Sequence, residues 1–160
     1  MLAPAVTFDQ VILALHIMSV VVAFGVVFAY PLFMLVGARL DPRSMPAFHR
    51  VQQLVSRTIV SVGLLLVVIF GVILASELHA WDRFFVQWGI GASLVIGAIE
   101  GMFTIPRTGR LAELADRDLQ GEGALSVEYR AASRLVLTGA VVVSLIVLVT
   151  IFLMAIHAGA

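Results

Sequence analysis

Four long apolar runs dominate this chain: Val11 to Gly37, Ile59 to Ala75, Phe84 to Ile105 and Leu135 to Ile156. Each is near or above the ~17–25 residues that carry a helix across a hydrocarbon core. Runs of that length are too long for strands, and lipid leaves a backbone only its own helix to bond with. The sequence therefore predicts an all-α membrane protein, a bundle of four transmembrane helices at about 8–37, 46–78, 82–105 and 126–157. Cytoplasmic loops are expected at about 38–45 and 106–125, and residues 1–160 read as a single membrane domain. Composition agrees: 61% of residues are hydrophobic and 12% charged, against a charged share of about 25% in soluble domains. A soluble domain of 160 residues could not bury that much apolar side chain.

The charges give the orientation. All ten basic residues are arginine. Arg39, Arg43, Arg50 and Arg57 lie between the first two runs, and Arg107, Arg110, Arg117, Arg130 and Arg134 between the last two. Only Arg83 lies in the short link between them. Arginine-rich loops stay in the cytoplasm, so both termini are expected outside, with Trp81, Phe84 and Trp88 at the outer interface. No basic residue precedes the first run, which exceeds the ~7–15 residues of a signal-peptide core, so the start reads as a helix.

Pro46 suits the first turn of the second helix, and "PAFHRVQQLVSR" extends that helix into the cytoplasm. "GRLAELADRDLQGEG" reads as a short amphipathic surface helix with Leu111, Leu114 and Ala115 on one face, stopped by Gly121 and Gly123.

Small and polar residues mark packing faces. Gly89, Ser93, Gly97 and Gly101 recur every four residues, a ridge that lets another helix approach closely. Asp9, His16, Ala23 and Tyr30 recur every seven, with Ser19 beside them. Gly139, Val143, Thr150 and His157 form a similar face on the fourth helix. Polar residues in membrane helices look inward, so these stripes are expected to meet in the bundle centre.

The ionisable residues carry the candidate chemistry. His16, His79 and His157 fall in the outer half, level with Asp9, Glu77 and Asp82. The plain reading makes His79 and His157 interface residues and His16 a buried histidine bonded to a carbonyl. The functional readings are a haem b held by His16 and His157, another metal, or a quinone contact. His49, among the arginines, reads as solvated.

Glu100 lies in the cytoplasmic half of the third helix, five residues from its end, or about 7.5 Å deep. An ion pair with Arg57 or Arg134 is the expected partnership. A protonated or proton-relaying acid, or a contact to a cationic substrate, remains open.

The chain has no cysteine, which excludes thiolate catalysis and disulfides. It has no phosphate loop and no HExxH, and no catalytic role is assigned to any residue. Acidic residues among the loop arginines argue against nucleic acid; the arginines themselves read as topology signals and lipid-headgroup contacts.

"ALHIMSVVVAFGVVFAYPLF", the arginine-rich first loop, Gly63 and Gly71, and "IPRTGRL" together resemble a family of four-helix bacterial integral membrane proteins without an assigned function. More distantly the chain is similar to CopD-type copper-resistance proteins and HemJ-type protoporphyrinogen oxidases. The second likeness implies a haem-binding role for His16. Taken together, the sequence predicts a small multi-pass protein of the bacterial plasma membrane. It is expected to serve as a structural or accessory subunit beside other membrane subunits or copies of itself. The alternatives are a haem- or metal-binding redox protein using His16 and a proton-linked carrier using Glu100.

Overall fold

A computed structural model describes residues 6–121 and 124–157. Among them the chain is helical throughout, with no strand. The helices are α1 (Phe8–Phe24), α2 (Tyr30–Leu40), α3 (Met45–Val55), α4 (Ser61–Glu77), α5 (Phe84–Ala98), α6 (Ile105–Gly121) and α7 (Val127–His157). Three continuous helices are long and apolar enough to cross a membrane: Pro42–Glu77, Phe84–Gly121 and Val127–His157.

The first apolar run is not one helix, as expected over 8–37, but two. Pro31 at the start of α2 has no N–H to offer the carbonyl four residues back, which interrupts a helix at that point. The chain tightens instead, with Val27 N–H donating to Phe24 O and Ala29 N–H to Val26 O, both at 3.0 Å. The break reorients the chain and leaves Tyr30 buried at the start of α2.

The second and third long helices each contain a π turn, at Ser56–Val60 and at Ile99–Thr104. In the latter, Ile105 N–H donates to Glu100 O, five residues back. That wider turn also accommodates Pro106, so the chain does not leave the helix where a loop over 106–125 was expected. It continues as α6 to Gly121; Gly123, the other expected stop, lies outside the described residues.

Nor does α6 lie as a surface helix. Leu111, Leu114 and Ala115 are buried in a cluster with Met34, Met45, Tyr129 and Val136 from α2, α3 and α7. A second cluster of Ala23, Phe24, Val27, Val60, Val67, Ile96, Val143 and Val147 fills the apolar half of the bundle. The molecule thus has two cores stacked along its long axis.

A close backbone approach joins α1 to α4. A Cβ built on Gly63 would lie 2.8 Å from Ala23 Cβ and 2.9 Å from its Cα. One could not be added without moving a helix, so glycine is required there. The expected helix-three ridge is not a single seam of this kind. Gly89 faces Met154 of α7 and Gly97 faces Leu64 of α4, while nothing lies within 4 Å of a Cβ on Gly101.

The link after α4 closes with a Schellman cap. Ala80 N–H donates to Ala75 O and His79 N–H to Ser76 O, which places His79 at φ 51°, in the left-handed region that favours glycine.

Candidate functional site

The two π turns and the α1–α2 break converge on a buried polar seam. One row descends the second long helix: His49, Gln52 and Ser56, each at most 1% exposed. Their spacing of three and four residues puts them on one face. A second row on the third long helix is Glu100, Thr104 and Thr108, four residues apart and all buried. Tyr30 stands between the rows, its phenol facing the Ser56 hydroxyl and within electrostatic reach of the Glu100 carboxylate.

Part of the seam is satisfied. His49 Nε2 lies 2.8 Å from the Tyr129 hydroxyl, and its Nδ1 3.3 Å from Gln52 Oε1. Thr108 Oγ1 donates to Thr104 O at 2.8 Å. The rest is not. Among the described residues, six buried side-chain polar atoms have no hydrogen-bond partner, and five of them belong to this seam. They are Tyr30 Oη, Gln52 Nε2, Ser56 Oγ, Glu100 Oε2 and Thr104 Oγ1; the sixth is Ser144 Oγ. Each such orphan costs roughly 1–3 kcal/mol. A fold carries that concentration of unsatisfied groups where water, protons or a ligand complete them.

Glu100 is 5% exposed. The ion pair expected with Arg57 or Arg134 is not formed. Among the described residues no basic group lies within salt-bridge distance of Glu100. The reason is helical phase: Arg57 follows the buried Ser56 and Arg134 precedes the buried Val136 by two residues, so both side chains are exposed on outer faces. The π turn, by contrast, rotates Glu100 inward.

His49, expected to be solvated, is fully buried, with Phe48 edge-on at 5.3 Å. It lies ten residues before the apolar run that opens at Ile59, outside that run. There burial pushes its imidazole down to about 4, against a weaker upward pull from Gln52. Asp118 accepts from Ser126 N–H at 2.9 Å, while Ser126 Oγ caps α7 by accepting from Tyr129 N–H. The Ser126 contacts, and then Arg117, hold the Asp118 carboxyl below its ordinary range. The loop arginines read as lipid contacts are in part protein contacts: Arg50 pairs with Asp116, Arg110 with Glu128, and Arg117 with Asp118 and Glu128.

Beside the seam, α4 and α5 diverge around a groove of about 510 Å³. Leu64, Leu65, Val68, Ile90 and Leu94 form its walls, Ser61 and Ser93 add hydroxyls, and Glu100 and Gly101 line it toward the π turn.

The outer-half histidines occupy separate places. His16 packs on Gly71, with its Nδ1–H donating to Val67 O at 3.0 Å. That is the bond by which metal-ligating imidazoles are commonly oriented. His157 is bonded through Nδ1 to Leu153 O of its own helix and stacks on Phe85 of α5. His16 therefore contacts α4 and His157 contacts α5. Among the described residues no three His, Asp or Glu side chains gather to hold a metal.

The sequence pointed to Glu100 and His16 but missed Tyr30, Gln52, Ser56 and Thr104 as one site. The three-four spacing of His49, Gln52 and Ser56 was a legible signal. Comparison with protein-family models, curated proteins and solved structures finds no match.

Proposed function

We propose that this chain is a four-span protein of the bacterial plasma membrane, with both termini outside, acting as a proton-linked carrier whose exchangeable acid is Glu100. Nine arginines on one side of the spans support the orientation. The fourth span is the broken first run. Phe8–Phe24 has 17 residues, an extent of about 26 Å at 1.5 Å per residue. That falls just short of a core of about 30 Å, and the chain continues through 25–29 into α2.

The observation that carries the carrier reading is Glu100 itself: a buried carboxyl with an orphaned oxygen and no basic partner. Such a group is completed either by a proton or by a bound cation. Exchange of one for the other is the elementary step of proton-linked transport: cation arrives, proton leaves, and the charge in the interior stays balanced. Tyr30, Ser56, Thr104 and Gln52 supply the other unpartnered polar atoms of the seam in which Glu100 stands.

Reconstitution in liposomes with an imposed pH gradient tests the reading. The expected result is proton flux coupled to a co-applied cation, lost in Glu100→Gln. Unchanged flux in that variant would remove Glu100 from the mechanism.

A second reading, an accessory subunit, draws on the open positions Gly91 and Gly101, where a Cβ would meet nothing within 4 Å. It requires a partner helix on α5. A monodisperse single copy in mild detergent, with no co-purifying chain, would set it aside.

A further inference from the structure

The groove between α4 and α5 has a shape and charge that specify an occupant. Its volume of about 510 Å³ falls in the range of small-molecule sites, about 300–1,000 Å³. Its walls are apolar, and Leu65 and Leu94, 58% and 70% exposed, place its mouth on the outer surface of the bundle, toward the bilayer. At the end nearest the π turn stands Glu100, buried and with Oε2 unpartnered. The glycines keep this end open: a Cβ on Gly97 would only touch Leu64 at 3.4 Å, and one on Gly101 would meet nothing.

From these features we infer that the α4–α5 groove is a binding site for a monovalent lipophilic cation, an organic ammonium or phosphonium with a substantial apolar body. The inference rests on the reading of Glu100 as an unpaired, exchangeable acid. An anion is excluded by the carboxylate. A lipid acyl chain satisfies the walls but leaves the orphaned oxygen as it was. A cation with an apolar body satisfies both. It enters sideways from the bilayer, where such molecules concentrate, and sets its charge against Glu100 while its body covers Leu64 and Ile90. On binding, the proton of the Glu100 carboxyl leaves to solvent and the carboxylate pairs with the cation, so charge is conserved.

Tetraphenylphosphonium tests this directly, because it carries a permanent charge and no proton of its own. The protein is held in nanodiscs and binding is measured above that of empty discs. The expected result is saturable binding of one cation per chain with release of about one proton, weakened on the order of tenfold or more in Glu100→Gln. Gly101→Leu, which adds bulk beside Glu100 at a position where a Cβ meets nothing within 4 Å, should weaken binding equally while leaving the protonated-carboxyl infrared band of Glu100 in place. Absence of saturable binding, or equal affinity in Glu100→Gln, would overturn the assignment and mark the groove as an acyl-chain or helix contact. The two readings fail separately. The infrared band present without cation binding sinks the groove alone, whereas Glu100-dependent binding with no band and no proton release sinks the exchangeable proton alone.

Discussion

Replacing Gly63 by alanine adds one methyl group where α4 lies against the backbone of α1. The new Cβ would lie 2.8 Å from Ala23 Cβ, 2.9 Å from its Cα and 3.1 Å from its amide nitrogen. Carbon atoms in ordinary contact are about 3.5–4.0 Å apart, so α1 and α4 must separate by several tenths of an ångström. The atoms struck are backbone and Cβ, which cannot turn away as a flexible side chain would. Overpacking of this kind costs about 1–3 kcal/mol, and the better helix propensity of alanine offsets up to about 1 kcal/mol. The net expectation is a loss of about 1–2 kcal/mol. Gly91→Ala is the matched control, because its Cβ meets nothing within 4 Å; it should gain up to about 1 kcal/mol from propensity. Reversible unfolding in mixed micelles, followed by circular dichroism against the mole fraction of denaturing detergent, reads both. The seam also carries the His16–Val67 bond, so Gly63→Ala should shift the His16 imidazole resonances while Gly91→Ala leaves them in place. Equal stability of the two variants would refute the claim that α1 and α4 are in backbone contact here.

Three further outcomes follow from the same geometry. His79→Gly should stabilise the protein by about 1 kcal/mol in the same assay, because it relieves a side chain held at φ 51°. Because His49 is held down to about 4 in the fold and reverts to about 6.5 on unfolding, its contribution is intact above about 6.5 and is lost as pH falls toward about 4. His49→Gln should flatten that limb of the stability–pH curve. Asp118 is held below its ordinary value, so its contribution is present above that value and lost as pH falls through the depressed one; Asp118→Asn should remove this acid-side loss and loosen the α6–α7 corner in hydrogen exchange.

Apolar length made the helical, membrane-competent class readable from sequence, because it follows from the chemistry of the bilayer; four spans were expected, and among the described residues three helices have that length. The interruptions were harder. Pro31 and Pro106 are similar signals, yet one divides a helix and the other rides through on a π turn, so a proline alone does not say which. The loop arginines were read as lipid contacts, and His49 among them as solvated, because these segments are charged. Charge alone does not distinguish an arginine facing water from Arg50 facing Asp116, and the burial of His49 depends on Tyr129, eighty residues away. Glu100 was recognised as anomalous from sequence. Its partner was misjudged because depth along a helix was matched and phase around it was not: the π turn shifts Glu100 by a fraction of a turn, away from arginines that remain outside.

The central claim, that Glu100 is an unpaired acid carrying an exchangeable proton, is tested most directly by infrared difference spectroscopy of the protein in lipid. Spectra are taken across a pH titration and compared with those of Glu100→Gln. The account predicts a carboxylic-acid band that titrates, disappears in Glu100→Gln and is unchanged in Arg57→Gln and Arg134→Gln. A permanently ionised carboxylate that gains a proton only when one of those arginines is removed would contradict it and restore the ion pair.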